Sequence, residues 1–135
     1  MVKIYKGSST YSSDIICSLS NDSKVYKKTS TYSSDIICHV KGNKIYKGDS
    51  SYSNNVLFTI TDGKIYKGNS SYTSDIVLTI KDSKIYKGTS TYSSDIIATI
   101  KSNKVYTGSS SYSSDIQFHI DGNVMIEEFV AIWYA

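Results

Sequence analysis

Arginine and proline are missing from this chain of 135 residues, cysteine and histidine occur twice each, and tryptophan occurs once. Each shortage removes a class of function. Without arginine there is no forked guanidinium to grip a phosphate or a guanine edge. The net charge of +3 is also small for a polyanion binder, so sequence-specific nucleic-acid recognition is not expected. Two cysteines do not make a disulfide scaffold. With no Cys-x-x-Cys pair and no histidine cluster, no metal centre is expected and no cofactor is implied. No apolar run approaches the length of a membrane span, so no membrane partner is expected. Met1-Val2-Lys3-Ile4-Tyr5 leads straight into the first repeat without a leader pattern, which makes the cytoplasm the expected location. The absence of proline and the turn-like placing of glycine leave no linker, so residues 1–135 read as a single domain.

What the chain does have is one motif, six times over. Lys-Ile/Val-Tyr begins at Lys3, Lys24, Lys44, Lys64, Lys84 and Lys104, and Tyr-Ser-Ser-Asp-Ile recurs in phase with it. The repeats run 3–23, 24–43, 44–63, 64–83, 84–103 and 104–123, and a different segment, 124–135, follows. Numbering the unit from its first lysine, positions 13, 15 and 17 are apolar in every copy and position 16 is Ser, Thr or His, the two-residue period of a half-buried strand. Positions 1 to 4, Lys-Ile-Tyr-Lys, are β-branched and aromatic, as a second strand would be. Between them fall Gly42-Asn43, Asp62-Gly63, Asp82-Ser83 and Ser102-Asn103, residues that tolerate the positive φ of tight turns. The fold class is therefore an all-β repeat protein of six strand-turn-strand units. Two architectures fit. A parallel β-solenoid stacks each copy on the last, as the repeat length and the near-identity of the long loops suggest. An antiparallel hairpin meander is the alternative, suggested by the two-residue turns. The odd-numbered register favours the solenoid, with positions 13, 15 and 17 inward and position 14 outward.

Asn123 to Ala135 reads as a short helix, with Asn123 as its N-cap and Phe129, Ile132 and Trp133 on one face. Its expected role is to cap the open end of the stack, as terminal units of repeat arrays do. The first repeat has no such cover, which suggests a homodimer joined there.

The candidate surfaces repeat with the unit. Position 14 gives the stripe Ile16, Ile37, Leu57, Val77 and Ile97, an expected interaction surface and a second route to self-association. Position 4 gives Lys6, Lys27, Lys47, Lys67 and Lys87, a basic stripe that, beside tyrosine and rows of Ser and Thr, suits a glycan or another polymer. Cys17 and Cys38 share position 15. In a solenoid they would be neighbours within disulfide range, in a meander a strand would separate them, and two buried free thiols are expected. His39 and His119 share position 16 as ordinary surface residues. An active site is a singular arrangement and almost nothing here is singular, so no catalytic residue is assigned and no enzyme is expected. The function read from the sequence is a structural or protein-interaction scaffold that self-associates, with a polymer-binding module as the alternative.

The repeated region and the ending Ile126-Glu127-Glu128-Phe129-Val130-Ala131-Ile132-Trp133 resemble small bacterial proteins made of Ile-Tyr-x-Gly-x-Ser-x-x-Ser-Asp units. That resemblance implies no activity, cofactor or site residue.

Overall fold

The computed structural model describes residues 1–135. Each copy supplies two strands, in the order β1 (Val2–Lys6), β2 (Ile15–Leu19), β3 (Lys24–Lys27), β4 (Ile36–Lys41), β5 (Lys44–Lys47), β6 (Val56–Thr61), β7 (Lys64–Lys67), β8 (Ile76–Lys81), β9 (Lys84–Lys87), β10 (Ile96–Lys101), β11 (Lys104–Thr107) and β12 (Ile116–Asp121). A helix, α1 (Ile126–Tyr134), ends the chain. Every strand pairs antiparallel with its neighbours, and β1 pairs with β12, so twelve strands close into one barrel. This overturns the parallel solenoid. The hairpins of the meander are present, but the meander is not open, because its ends meet.

The short turns set this topology. Asp62-Gly63, Asp82-Ser83 and Ser102-Asn103 have positive φ at both central residues, the geometry whose twist matches a two-residue antiparallel hairpin. A hairpin therefore joins the second strand of one copy to the first strand of the next. The sixth hairpin has no turn of its own. It is made by β12 and β1, with Ile4 opposite Ile120 and Tyr5 opposite His119. That pairing repeats Ile85 opposite Ile80 and Tyr86 opposite Thr79 in an ordinary hairpin. The first repeat thus has no open strand edge, and the expected dimer through it loses its physical motive.

A β-bulge in each copy corrects the expected register. Val25 faces Cys38 and Tyr26 faces Ile36, which skips Ile37, and the same shift recurs between β1 and β2, β5 and β6, β7 and β8, β9 and β10, and β11 and β12. One extra residue reverses the alternation of sides. Positions 2, 15 and 17 then share the inner face: Ile4, Val25, Ile45, Ile65, Ile85 and Val105 are at most 1% exposed and belong to the central core with Cys17, Cys38 and Ala98. Position 13 moves to the other side. Ile15, Ile36 and Ile76 are buried but lie outside that core, with the position-3 tyrosines as their ladder partners.

Helix α1 runs inside the barrel and does not lie across an end. Phe129, Val130, Ala131 and Ile132 are all buried and share the core with residues of all six copies. Four consecutive residues at about 100° each go most of the way round a helix, so the wall surrounds α1 on nearly all sides. The expected helix is present, but the expected end cap is a central plug. Its N-cap is Met125, not Asn123; the Met125 amide donates to Glu128 Oε1 at 2.9 Å. Ser23 Oγ, in a hairpin turn, donates to Glu128 Oε2 at 2.7 Å and ties the start of α1 to the turn end of the barrel. The strands are four to six residues long, against the ~9–11 that a membrane-crossing strand needs. No helix is long and apolar enough to cross a membrane.

Candidate functional site

The long loops, positions 5 to 12, all emerge at the end of the barrel opposite the short turns, and each is built in the same way. Glycine at position 5 turns the chain with φ near +60°, as at Gly48 and Gly68, and Lys28 holds the same strained conformation in the second copy. A 3-10 turn follows at positions 10 to 12, closed by a bond from the position-12 amide to the position-9 carbonyl, 2.9 Å for Asp75 to Tyr72. The serine at position 7 braces it. Ser9, Ser30, Ser70, Ser90 and Ser110 donate to Asp14, Asp35, Asp75, Asp95 and Asp115 at 2.6–2.7 Å. The same hydroxyl accepts the position-9 amide, 3.0 Å for Tyr72 to Ser70. In the third copy Asn55 replaces the acid and its amide donates to Ser50 at 2.7 Å, so the bond survives with its direction reversed. The aspartates are thus engaged in bracing turns, and no three His, Cys, Asp or Glu residues gather in a metal-binding group.

This brace holds one side chain out. Tyr11, Tyr32, Tyr52, Tyr72, Tyr92 and Tyr112 are 73–75% exposed, nearly identical from copy to copy. A pocket beside one of them is lined by Lys87, Gly88, Thr89, Ser90, Thr91, Tyr92 and Asp95. The position-9 tyrosines were legible as a repeated residue but not as a site. Periodicity alone does not separate them from the position-3 tyrosines, of which Tyr86 and Tyr106 are buried.

The wall explains position 16. Thr59, Thr79 and Thr99 donate to the carbonyls of Gly68, Gly88 and Gly108 at 2.7–2.8 Å, and Ser18 donates likewise to Lys28. His39 and His119 serve the same purpose through Nδ1, to Gly48 at 2.7 Å and Gly7 at 2.9 Å, which requires the proton on Nδ1. They are not ordinary surface residues: His39 is buried and stacks on Tyr46, and His119 stacks on Tyr5 across the closing seam.

The bulge also relocates the expected apolar stripe. Ile37 and Leu57 pack against the core, and Ile16 and Val77 line cavities beside Trp133. Only Ile16, Val77 and Ile97 remain more than about a third exposed. Position 14 therefore rings the barrel mouth around the end of α1 and does not run along the outer wall. Lys6, Lys27, Lys47, Lys67 and Lys87 stand at the same mouth, exposed, each opposite an inward position-15 residue: Lys27 opposite Cys17, Lys47 opposite Cys38, Lys67 opposite Phe58. The sixth copy is polar at both places, and Gln117 Nε2 donates to Thr107 Oγ1 at 3.3 Å. Phe129 and Ile132 are deep in the core, and Trp133 is half-buried against Phe118 and Phe129. Cys17 and Cys38 are free and buried, with β3 between their strands. Burial pushes both thiols up to about 12, which leaves them protonated and poor nucleophiles at neutral pH.

Six copies form a closed barrel of hairpins around an internal helix, and a family model described as a 6-fold beta flower protein matches residues 4–133. The chain belongs to the 6-fold beta flower family. Neither the curated proteins nor the solved structures contain a match to it. In the beta flower described here each loop is a petal, and the six petals share one internal brace and one outward tyrosine.

Proposed function

We propose that this beta flower is a non-enzymatic display scaffold whose six loops bind a polyhydroxylated polymer, a glycan, at the barrel mouth. The observation that carries this reading is the set of six tyrosines at 73–75% exposure. Folding leaves their rings in water on loops of one backbone conformation, with φ from −74° to −85° and ψ from 138° to 142°, and outward aromatic rings are suited to contact area at low entropic cost. The C–H face of a sugar packs on such a ring, and the Ser and Thr hydroxyls at positions 8 and 10 offer hydrogen bonds beside it. Six weak equal sites on one rigid body suit a repeating ligand, because the second contact becomes intramolecular once the first has formed. The position-4 lysines favour an acidic polymer.

A glycan array probed with the whole protein is expected to give hits on extended rather than monosaccharide ligands. Replacing all six position-9 tyrosines with alanine is expected to abolish them and leave a cooperative melt, since exposed substitutions change stability by about 0.5 kcal/mol or less each. An array without hits, or hits that survive the sixfold substitution, would count against the reading. Self-association rests now on the exposed part of the mouth ring, Ile16, Val77 and Ile97, and a dimer in sedimentation that Ile97→Gln dissociates would support it.

A further inference from the structure

Helix α1 lies off-centre in the barrel. It packs closest to β2, β4 and β5, where the inward position-15 residues are the small Cys17 and Cys38, and Cys38 Sγ comes within 3.6 Å of the Ala131 carbonyl oxygen. On the other side it leaves space. A cavity of about 320 Å³ opens at the mouth between Phe58, Ile65, Val77 and Leu78 of the wall and Trp133 and Tyr134 of the helix. Its lining residues are all hydrophobic or aromatic. Two cations stand at its rim. Lys67 is directly across the ladder from Phe58, and Lys87 from Leu78, and residues directly opposed in a ladder share a face of the sheet. Both are exposed, and neither has a carboxylate partner, since the only ion pairs in the protein are made by Lys24, to Asp22 and Asp49. An apolar slot with unpaired positive charge at its entrance is complementary to one chemistry. The mouth of a barrel is also a usual place for a small-molecule site.

We propose that this cavity binds a single-chain anionic amphiphile, its aliphatic chain between Trp133 and Leu78 and its carboxylate at Lys67 and Lys87. The apolar slot lies apart from the six loops, although Lys87 also lines the pocket at Tyr92, and amphiphile binding read at Trp133 tests the slot without the polymer.

Trp133 is the sole tryptophan and lines the cavity, so its fluorescence reports occupancy. The full-length protein is titrated with decanoate, decanol and decyltrimethylammonium below their micelle concentrations. Decanoate is expected to give a saturable change and to bind more tightly than the other two. The double substitution Lys67→Gln, Lys87→Gln is expected to weaken decanoate roughly five-fold, the scale of two exposed ion pairs, without changing decanol. Lys27→Gln with Lys47→Gln, opposite the two cysteines, is expected to change neither. Leu78→Phe, a residue the barrel already takes at Phe58 and Phe118, is expected to narrow the slot and weaken decanoate and decanol alike. The proposal is overturned if decanoate gives no saturable change, if the cationic amphiphile binds as well, if the Lys67 and Lys87 pair has no effect, or if sedimentation shows the fluorescence change to follow the separation of two copies.

Discussion

At the scale of single residues, the repeat is a set of small hydrogen-bonding devices, and its variation shows which atoms matter. Position 12 needs a partner for the serine hydroxyl at position 7, not a charge. Asn55 satisfies Ser50 as well as Asp75 satisfies Ser70, with 2.7 Å and 2.6 Å bonds. Asp75→Asn is therefore expected to leave stability nearly unchanged, whereas Asp75→Ala, which deletes the bond, costs about 0.5–1.5 kcal/mol. Urea denaturation of the two variants checks this; equal losses would mean that the carboxylate charge matters for another reason. The same logic covers position 16, where Ser, Thr and His have in common a donor aimed at the position-5 carbonyl.

The elements are held apart in kind by the bulge and by the helix. The bulge turns position 14 toward the mouth and position 13 outward, so an apolar pair that reads as one strand serves two surfaces. The helix breaks the sixfold symmetry of the wall. Position 15 is Cys38 where the Ala131 carbonyl comes closest, and Phe58 and Leu78 where the cavity beside Trp133 remains. Equivalent substitutions should therefore have unequal effects. Cys38→Phe is expected to overpack against Ala131 and destabilise by about 1–3 kcal/mol. Leu78→Phe, facing the cavity, is expected to cost far less. Comparing denaturation midpoints of the two checks the off-centre seat of α1, and similar midpoints would place the helix on the axis.

For the whole molecule, closure decides stability. Twelve short strands have no unpaired edge only because β1 pairs with β12 through four residue pairs, and barrels are one of the few ways to remove edges altogether. Deleting residues 1–7 would bare the outer edges of β2 and β12 and open the core around α1. The shortened protein is expected to self-associate or aggregate on size-exclusion chromatography and to lose its cooperative melt. A monomer with an unchanged melt would show that the seam contributes little.

The six copies, the two strands of each, the tight turns and the terminal helix were all legible in the residues, because they follow from local pattern: alternation, turn chemistry and helical spacing. So was the burial of Cys17 and Cys38 as free thiols. Three features were not. The inward register was misread because an inserted residue in a strand leaves no mark in composition while reversing every side chain beyond it. The fate of α1 was misread because an apolar helix suits an end cap or a barrel lumen equally, and only the diameter of the closed wall decides between them. The candidate site depended on both. The tyrosines at positions 3 and 9 are the same residue at the same period, and what separates a buried Tyr86 from an exposed Tyr92 is which side of the closed wall and its loops each one meets. Local pattern in the residues sets the unit, its two strands and its tight turns. That six units form a ring is settled in three dimensions alone, since closure pairs residues more than a hundred positions apart and depends on the accumulated twist of every hairpin between them.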